Sequence, residues 1–381
     1  FEQVYHGCVA GLYEEVCEDV YWEKIHRKEK YVITQKLGAW ETDRSLVKTF
    51  FPEGDLSQMP LVSEKSDQSL LLSEAGLVLL NTGRPKEAEK PLKTAIDIDI
   101  EVNQIAYASV GYLNLAKLQF RTGELERGLS SAKKALDTAE KAKFDKKIRN
   151  SKAYLAWILH LLGKGGEASK EFRQADELQI MIDPDGDRLY STYGVFYADF
   201  SIALKKIDEA FKLTKQNLGI SQRNNWPEII SRCYRCLGTI ERIKGNYNEA
   251  EVNLQNALEL ARKIGMPDLE IEALFESGRL HLDKGRHNDA IRDVKEALKI
   301  CARTGFKLYE PEAEIVLGKA DMALNDLEQA KTFAHSAYEK AIGMSYRWQE
   351  GDAAHLLGEI YLTMGDNVRA RKWIEKAVAC R

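Results

Sequence analysis

Four arginines, Arg232, Arg235, Arg242 and Arg279, carry the clearest binding chemistry in this sequence. Guanidinium groups that converge on one surface suit a carboxylate, a phosphate or an acidic peptide segment, through paired hydrogen bonds. Glu228, Glu241, Glu272 and Asp283 lie in the same region, so a solvated ladder of internal ion pairs is the competing expectation. The rest of the chain offers little reactive chemistry. Cys233 and Cys236 form a CxxC, but a redox pair needs a preceding strand and a helix start, so in a helical context they read as small packing residues. The seven histidines, His6, His26, His160, His281, His287, His335 and His355, are dispersed, without HExxH, GxSxG or a cysteine–histidine cluster at metal spacing. Asp183, Asp185 and Asp187 alternate as at the opening of a calcium loop, yet "DPDGDRLYSTYG" ends in Gly194 where the loop requires glutamate, so the segment reads as a bend or longer loop. No GxxxxGK[ST] occurs, so ATP binding by this chain alone is not expected. The expectation is a binding protein, with no catalytic residues, cofactor or metal.

Composition agrees with that class. The chain has 381 residues, 44% hydrophobic and 30% charged, with eight prolines, as an ordered, helix-rich protein does. With 55 basic and 59 acidic residues the net charge is −4, which gives neither a nucleic-acid footprint nor an acidic tail. No apolar run approaches a membrane span, and Phe1-Glu2-Gln3-Val4 does not open a signal peptide, so a cytoplasmic location is expected. The six scattered cysteines suit a reducing compartment. Because residue 1 is Phe, the sequence reads as a piece of a longer chain.

What must position the arginines is an internal repeat. A small residue recurs with others seven, twelve and nineteen places later: Gly76, Gly83, Ala88 and Ala95 in the first copy, Gly238, Gly245, Ala250 and Ala257 in the fifth, Gly358, Gly365, Ala370 and Ala377 in the eighth. The anchors 76, 116, 156, 198, 238, 278, 318 and 358 are 40 residues apart, apart from one step of 42. The fourth copy is the weakest, with Ala198, Lys205, Ala210 and Asn217. Antiparallel helices approach closely only where side chains are small, and a glycine between them permits a left-handed turn. The pattern predicts eight helical hairpins, each burying its face against the next, over residues 66–102, 103–143, 144–183, 184–224, 225–264, 265–304, 305–344 and 345–381.

Segments such as "GNYNEAEVNLQNALELARKIG" and "GRHNDAIRDVKEALKICARTG" resemble tetratricopeptide repeats of a long, roughly 40-residue type. The resemblance covers residues 66–381 and implies an all-α, right-handed α-solenoid that serves as an interaction scaffold. Residues 1–65 lie outside the frame. "HGCVAGLYEEVCEDVYWEKI" reads as the second half of a truncated repeat, followed by a helical pair around Tyr31–Leu37 and Thr42–Phe51 and the linker-like "PEGDLSQMPLVSEKS". Trp22-Glu23-Lys24-Ile25, Leu37-Gly38-Ala39-Trp40 and Phe50-Phe51 resemble the segment that joins the nucleotide switch to the repeat array in bacterial STAND-class signalling ATPases.

Solenoids of this kind bind on the concave face, through positions three and six before each anchor and one, four and five after it. Those positions hold Lys117, Phe120 and Arg121, then Trp157 and His160, then Asp199, then the four arginines. Trp157 and Phe120 would form an apolar platform beside the cations. The matched asparagines and lysines of a chaperone-tail clamp are missing, since Asn114 is isolated and Tyr154 and Cys236 occupy the corresponding places. The resemblance implies a sensor and autoinhibitory module of a STAND-type ATPase. Its expected partner is a peptide, a protein segment or a small anionic effector, or another domain of the parent protein by intramolecular docking, with no nucleic acid and no membrane. The alternatives are a peptide-responsive regulator or scaffold, and the regulatory array of a protease or other effector encoded elsewhere in the parent chain.

Overall fold

The computed structural model describes residues 1–183 and 188–380, and among these residues there are helices and turns but no strand. Helices pair in sequence order. The first four hairpins are Lys65–Asn81 with Pro85–Glu101, Ile105–Arg121 with Leu125–Lys141, Asp145–Leu161 with Gly165–Ile182, and Ser191–Ala203 with Ile207–Asn224. The last four are Pro227–Ile243 with Tyr247–Ile264, Pro267–Asp283 with His287–Thr304, Glu310–Ala323 with Leu327–Gly343, and Arg347–Thr363 with Asn367–Ala379.

The repeat pattern has direct structural counterparts. Each intra-hairpin turn carries a positive φ at the predicted position, six times on glycine and twice on other residues, Lys205 at 60° and Asn325 at 65°. At the crossing point, a Cβ added to Gly76, Gly238 or Gly358 would lie 2.4, 2.6 or 2.5 Å from Leu92, Leu254 or Ile374. Ala116, Ala156 and Ala198 fill the same place in their repeats and are fully buried. A second tie recurs seven residues before the anchor. The Ser69, Ser109 and Ser231 hydroxyls donate to the carbonyls of Ala95, Ala135 and Ala257 at 3.2, 3.0 and 2.9 Å.

The fourth repeat explains its own irregularity. Asn217 stands where the other repeats have alanine, and its side chain accepts from the Ser191 amide at 2.8 Å and donates to the Ser191 carbonyl at 2.9 Å. It thereby fixes the start of the shortened first helix. Asp176 accepts from Arg188 Nε and from the Leu189 amide, both at 2.8 Å. Pro184, Asp185, Gly186 and Asp187, on which the calcium-loop comparison turned, lie outside the described residues; Asp183 follows the end of its helix.

The solenoid winds back onto itself. The turn at Gly83 approaches Pro267 and Thr304, the turn at Gly123 approaches Met344, and the turn at Gly163 approaches Arg347. One superhelical turn therefore spans about five repeats. The N-terminal segment follows the same rule, because Asn225 Nδ2 donates to the Lys36 carbonyl at 2.8 Å and Trp40 packs with Ile264, Met266 and Leu269.

In that segment Glu2–Val9 packs against the wide, π-type helix Val16–His26, which continues Tyr13–Glu15 beyond a turn with Gly11 at φ 79°. Val32–Lys36 and Trp40–Val47 then form the expected pair. The linker-like stretch is not a free tether: Leu56 and Val62 are buried, and the Leu61 amide donates to the Phe50 carbonyl at 2.8 Å. Val4, Cys17, Tyr21 and Phe50 share one continuous apolar core with Leu71, Leu92, Phe172 and Phe306. Burial at roughly 25 cal/mol per Å² of apolar surface makes this core the main source of stability.

Candidate ligand-binding groove

Closure of the superhelix turns the concave face into two connected cavities. One, of about 410 Å³, is lined by Trp157, Phe196, Arg235, Glu272, Arg279 and Asp352 among others. The second, of about 750 Å³, lies between the N-terminal segment and the first five repeats, with Trp22, Glu74, Tyr107, Lys117, Tyr193 and Trp226 in its wall. Phe120, Phe196 and Arg232 belong to both linings and mark the division between them.

The four predicted arginines converge on the smaller cavity, where each is held by acids of its own or a neighbouring repeat. Arg235 pairs bidentately with Asp199 at 2.5 and 2.7 Å. Arg232 donates to Asp268 at 2.7 Å and to Glu272 at 2.8 Å, with Glu228 at 3.4 Å. Arg242 reaches Asp283 at 2.7 Å, and Arg279 reaches Glu276 at 2.6 Å and also Glu312. Of the acids expected in a ladder, Glu228, Glu272 and Asp283 take part, while Glu241 accepts from Asn246 instead. Arg121 is buried: it donates to Asp268 and to Asn81, and its guanidinium lies 5.5 Å from the Phe306 ring centre. Burial alone would raise the Asp268 pKa, but the charges of Arg121 and Arg232 outweigh it and hold the carboxyl below its usual range.

Lys117 differs from these. It lines the larger cavity and makes no hydrogen bond or ion pair with another described residue. Desolvation and the nearby charge of Arg121 lower its pKa to about 8, against a partial offset from Glu228 and Asp268. Arg149, on the same cavity wall, spends its donors on the neutral side chains of Gln179 and Asn150. Acids line the cavity as well: Glu18, Asp19, Glu23, Asp67, Glu74 and Asp99 from the N-terminal segment and the first repeat, and Glu228 from the fifth. Burial pushes the Glu74 carboxyl up to about 7, His26 opposing and Asp43 adding.

The aromatic platform is built differently from the expected Trp157–Phe120 pair. Trp157 stacks on Phe196 at 5.0 Å with an interplanar angle of 1°, and Phe120 meets the same ring edge-on at 6.5 Å. His160 is buried against Trp157, Phe200 and, from the eighth repeat, Trp348, and burial lowers its pKa to about 4. Cys233 and Cys236 are buried inside a helix, and burial pushes the Cys236 thiol up to about 12, which is packing rather than thiolate chemistry. Sequence reasoning missed Phe196, Asp268, Glu276 and Glu312; the last three sit on first helices of the sixth and seventh repeats, where acids facing the arginines one repeat earlier were the available signal.

Residues 230–303 and residues 351–379 match family models described as tetratricopeptide repeat. No curated protein matches the chain. Among solved structures, the chain is similar to a Rap protein complexed with competence and sporulation factor, at 14% identity and a TM-score of 0.65, over 98% of each chain. It is also similar to a STAND protein with a tetratricopeptide repeat sensor from Pyrococcus horikoshii, at 20% identity and a TM-score of 0.50. That match covers 83% of this chain and 46% of the STAND protein, so the chain spans about half the length of that relative. No described helix is long and apolar enough to cross a membrane. Residues 230–303 and 351–379 are tetratricopeptide repeats, and the chain as a whole has the fold of a tetratricopeptide-repeat superhelix.

Proposed function

We propose that this chain is a ligand-binding regulatory module whose larger cavity takes a short peptide or a protein segment. The observation that supports this most strongly is the charge of the cavity wall. Most of its acids come from the N-terminal segment and the first repeat and its cations from the second, third and fifth repeats, the exception being Glu228, which pairs with Arg232. An extended peptide with free ends presents an ammonium and a carboxylate at opposite termini, and tyrosines and tryptophans between the two walls suit its apolar side chains. Lys117 is the residue assigned to the carboxylate, with Arg149 beside it. Arg232, Arg235, Arg242 and Arg279 are assigned to holding adjacent repeats in register, with Asp199, and Trp157, Phe120 and His160 to the apolar partition.

The sensor role in a STAND-type ATPase is the second reading, favoured by the N-terminal segment, which continues the superhelix rather than standing apart from it. Occupation of the groove would then shift the parent protein between closed and open forms. A Walker A motif in the parent sequence upstream of Phe1 would favour the ATPase, and its absence a stand-alone regulator. The binding claim itself is tested by dialysing the purified chain against a random pool of five- to eight-residue peptides and measuring retention by mass spectrometry. Enrichment of peptides by folded over heat-unfolded protein is the expected result; equal retention by both would contradict it.

A further inference from the structure

His26, Asp43 and Glu74 come from three separate elements, the wide N-terminal helix, the helix Trp40–Val47 and the first helix of the repeat array, and all three are buried. One donor atom from each lies within 4.8 Å of the other two. His26 Nε2 is 3.3 Å from Asp43 Oδ1. That spacing is long for a charge-assisted hydrogen bond, and it equals the edge, about 3.3 Å, of a tetrahedron whose metal–ligand bonds are about 2.0–2.1 Å.

One further observation points to a ligand at Asp43: its second oxygen, Oδ2, is fully buried and lacks any hydrogen-bond partner among the described residues. The cluster is also held rigidly. The Tyr21 hydroxyl donates to Asp43 Oδ1 at 3.0 Å, as an orienting group outside a metal's direct ligands does. The His26 ring is packed by Tyr21, Trp22 and Tyr31 at 4.6, 5.8 and 5.8 Å. Glu74 lines the larger cavity, so the cluster borders a space that a water ligand could enter.

We propose that His26, Asp43 and Glu74 bind one divalent transition-metal ion of the Zn2+ type, clamping the N-terminal segment onto the first repeat. One imidazole and two carboxylates are ordinary zinc ligands, and a 2+ ion neutralises the two carboxylates. Glu74 also belongs to the acidic wall used in the peptide reading, but zinc uptake is measured without peptide, so the two readings fail separately.

The test is isothermal titration of chelator-treated full chain with ZnCl2, repeated with MgCl2, on wild type and on Glu74→Gln, Asp43→Asn and His26→Gln. Wild type should take up one equivalent of Zn2+ with little response to Mg2+, and each variant should lose tenfold or more in affinity. X-ray absorption at the zinc edge should report nitrogen and oxygen neighbours and no sulfur. Glu74→Gln, which is isosteric and borders the cavity, keeps the test interpretable if the other two variants fail to fold. No saturable Zn2+ uptake by wild type, uptake unchanged in Glu74→Gln, or a shell containing sulfur would each overturn the proposal.

Discussion

Arg121 donates a hydrogen bond to Asp268 across a sequence separation of 147 residues, joining the second repeat to the sixth through a pair that is buried on both sides. The same carboxylate receives Arg232 of the fifth repeat. This shared acid ties one superhelical turn to the next and closes the groove.

Removing one partner leaves an uncompensated charge in the core. Arg121→Ala and Asp268→Ala are each expected to lose about 3–5 kcal/mol in urea denaturation, and the double variant should lose much less than the sum. The pH dependence follows from the depressed folded pKa of Asp268. Its contribution is present above the unfolded carboxylate pKa and is lost as pH falls through the folded value, so the loss belongs to strongly acid solution, below about 4. Melting curves across that range on wild type and Asp268→Asn check the sign.

His160 should act at milder acidity. Its pKa is lowered to about 4, so the neutral ring is the folded form. The stability it contributes is complete above the unfolded histidine pKa near 6.5 and is lost as pH falls from there toward 4. Between those limits wild type should lose up to about 3 kcal/mol relative to His160→Phe, which keeps the contacts with Trp157 and Trp348 and cannot titrate. Parallel pH dependence in the two proteins would remove His160 as the cause.

Lys205 occupies a turn where six of the eight repeats use glycine, with φ at 60°. A left-handed conformation costs a side-chain-bearing residue about 1–2 kcal/mol, and glycine gives back part of that through its unfolded-state entropy. Lys205→Gly is therefore expected to stabilise the protein by about 0.5–1 kcal/mol, seen as a higher denaturant midpoint at unchanged slope.

The parts of the structure that were legible in sequence are those set by local rules. The recurrence of a turn residue seven places after a small residue and five before another marks a left-handed turn and a close helix crossing, so the hairpins and their inner faces follow from residues such as Gly238, Gly245 and Ala250. Convergence of the arginines was legible for the same reason. Three of their partners, Glu228, Glu272 and Asp283, were legible too, but Asp268 and Glu276 were not, because these are defined by the stacking of one repeat on the next, and Arg121–Asp268 by the closing of a whole superhelical turn. Asn217 illustrates a departure that reads as degeneration and is instead a tie to Ser191. The His26–Asp43–Glu74 cluster was invisible because its members are 17 and 31 residues apart along the chain (43 − 26 and 74 − 43) in elements of different type.

The central claim, that the bipolar cavity reads the ends of a peptide, rests on Lys117. The most direct measurement is fluorescence anisotropy of a peptide recovered from the retained pool, in free-ended and in acetylated, amidated form, against wild type and Lys117→Glu. Wild type should bind the free-ended peptide at least tenfold more tightly than the capped one, and Lys117→Glu should abolish that preference without changing the melting temperature by more than a few degrees. Equal affinity for both forms on wild type, or an undiminished preference in Lys117→Glu, would contradict it.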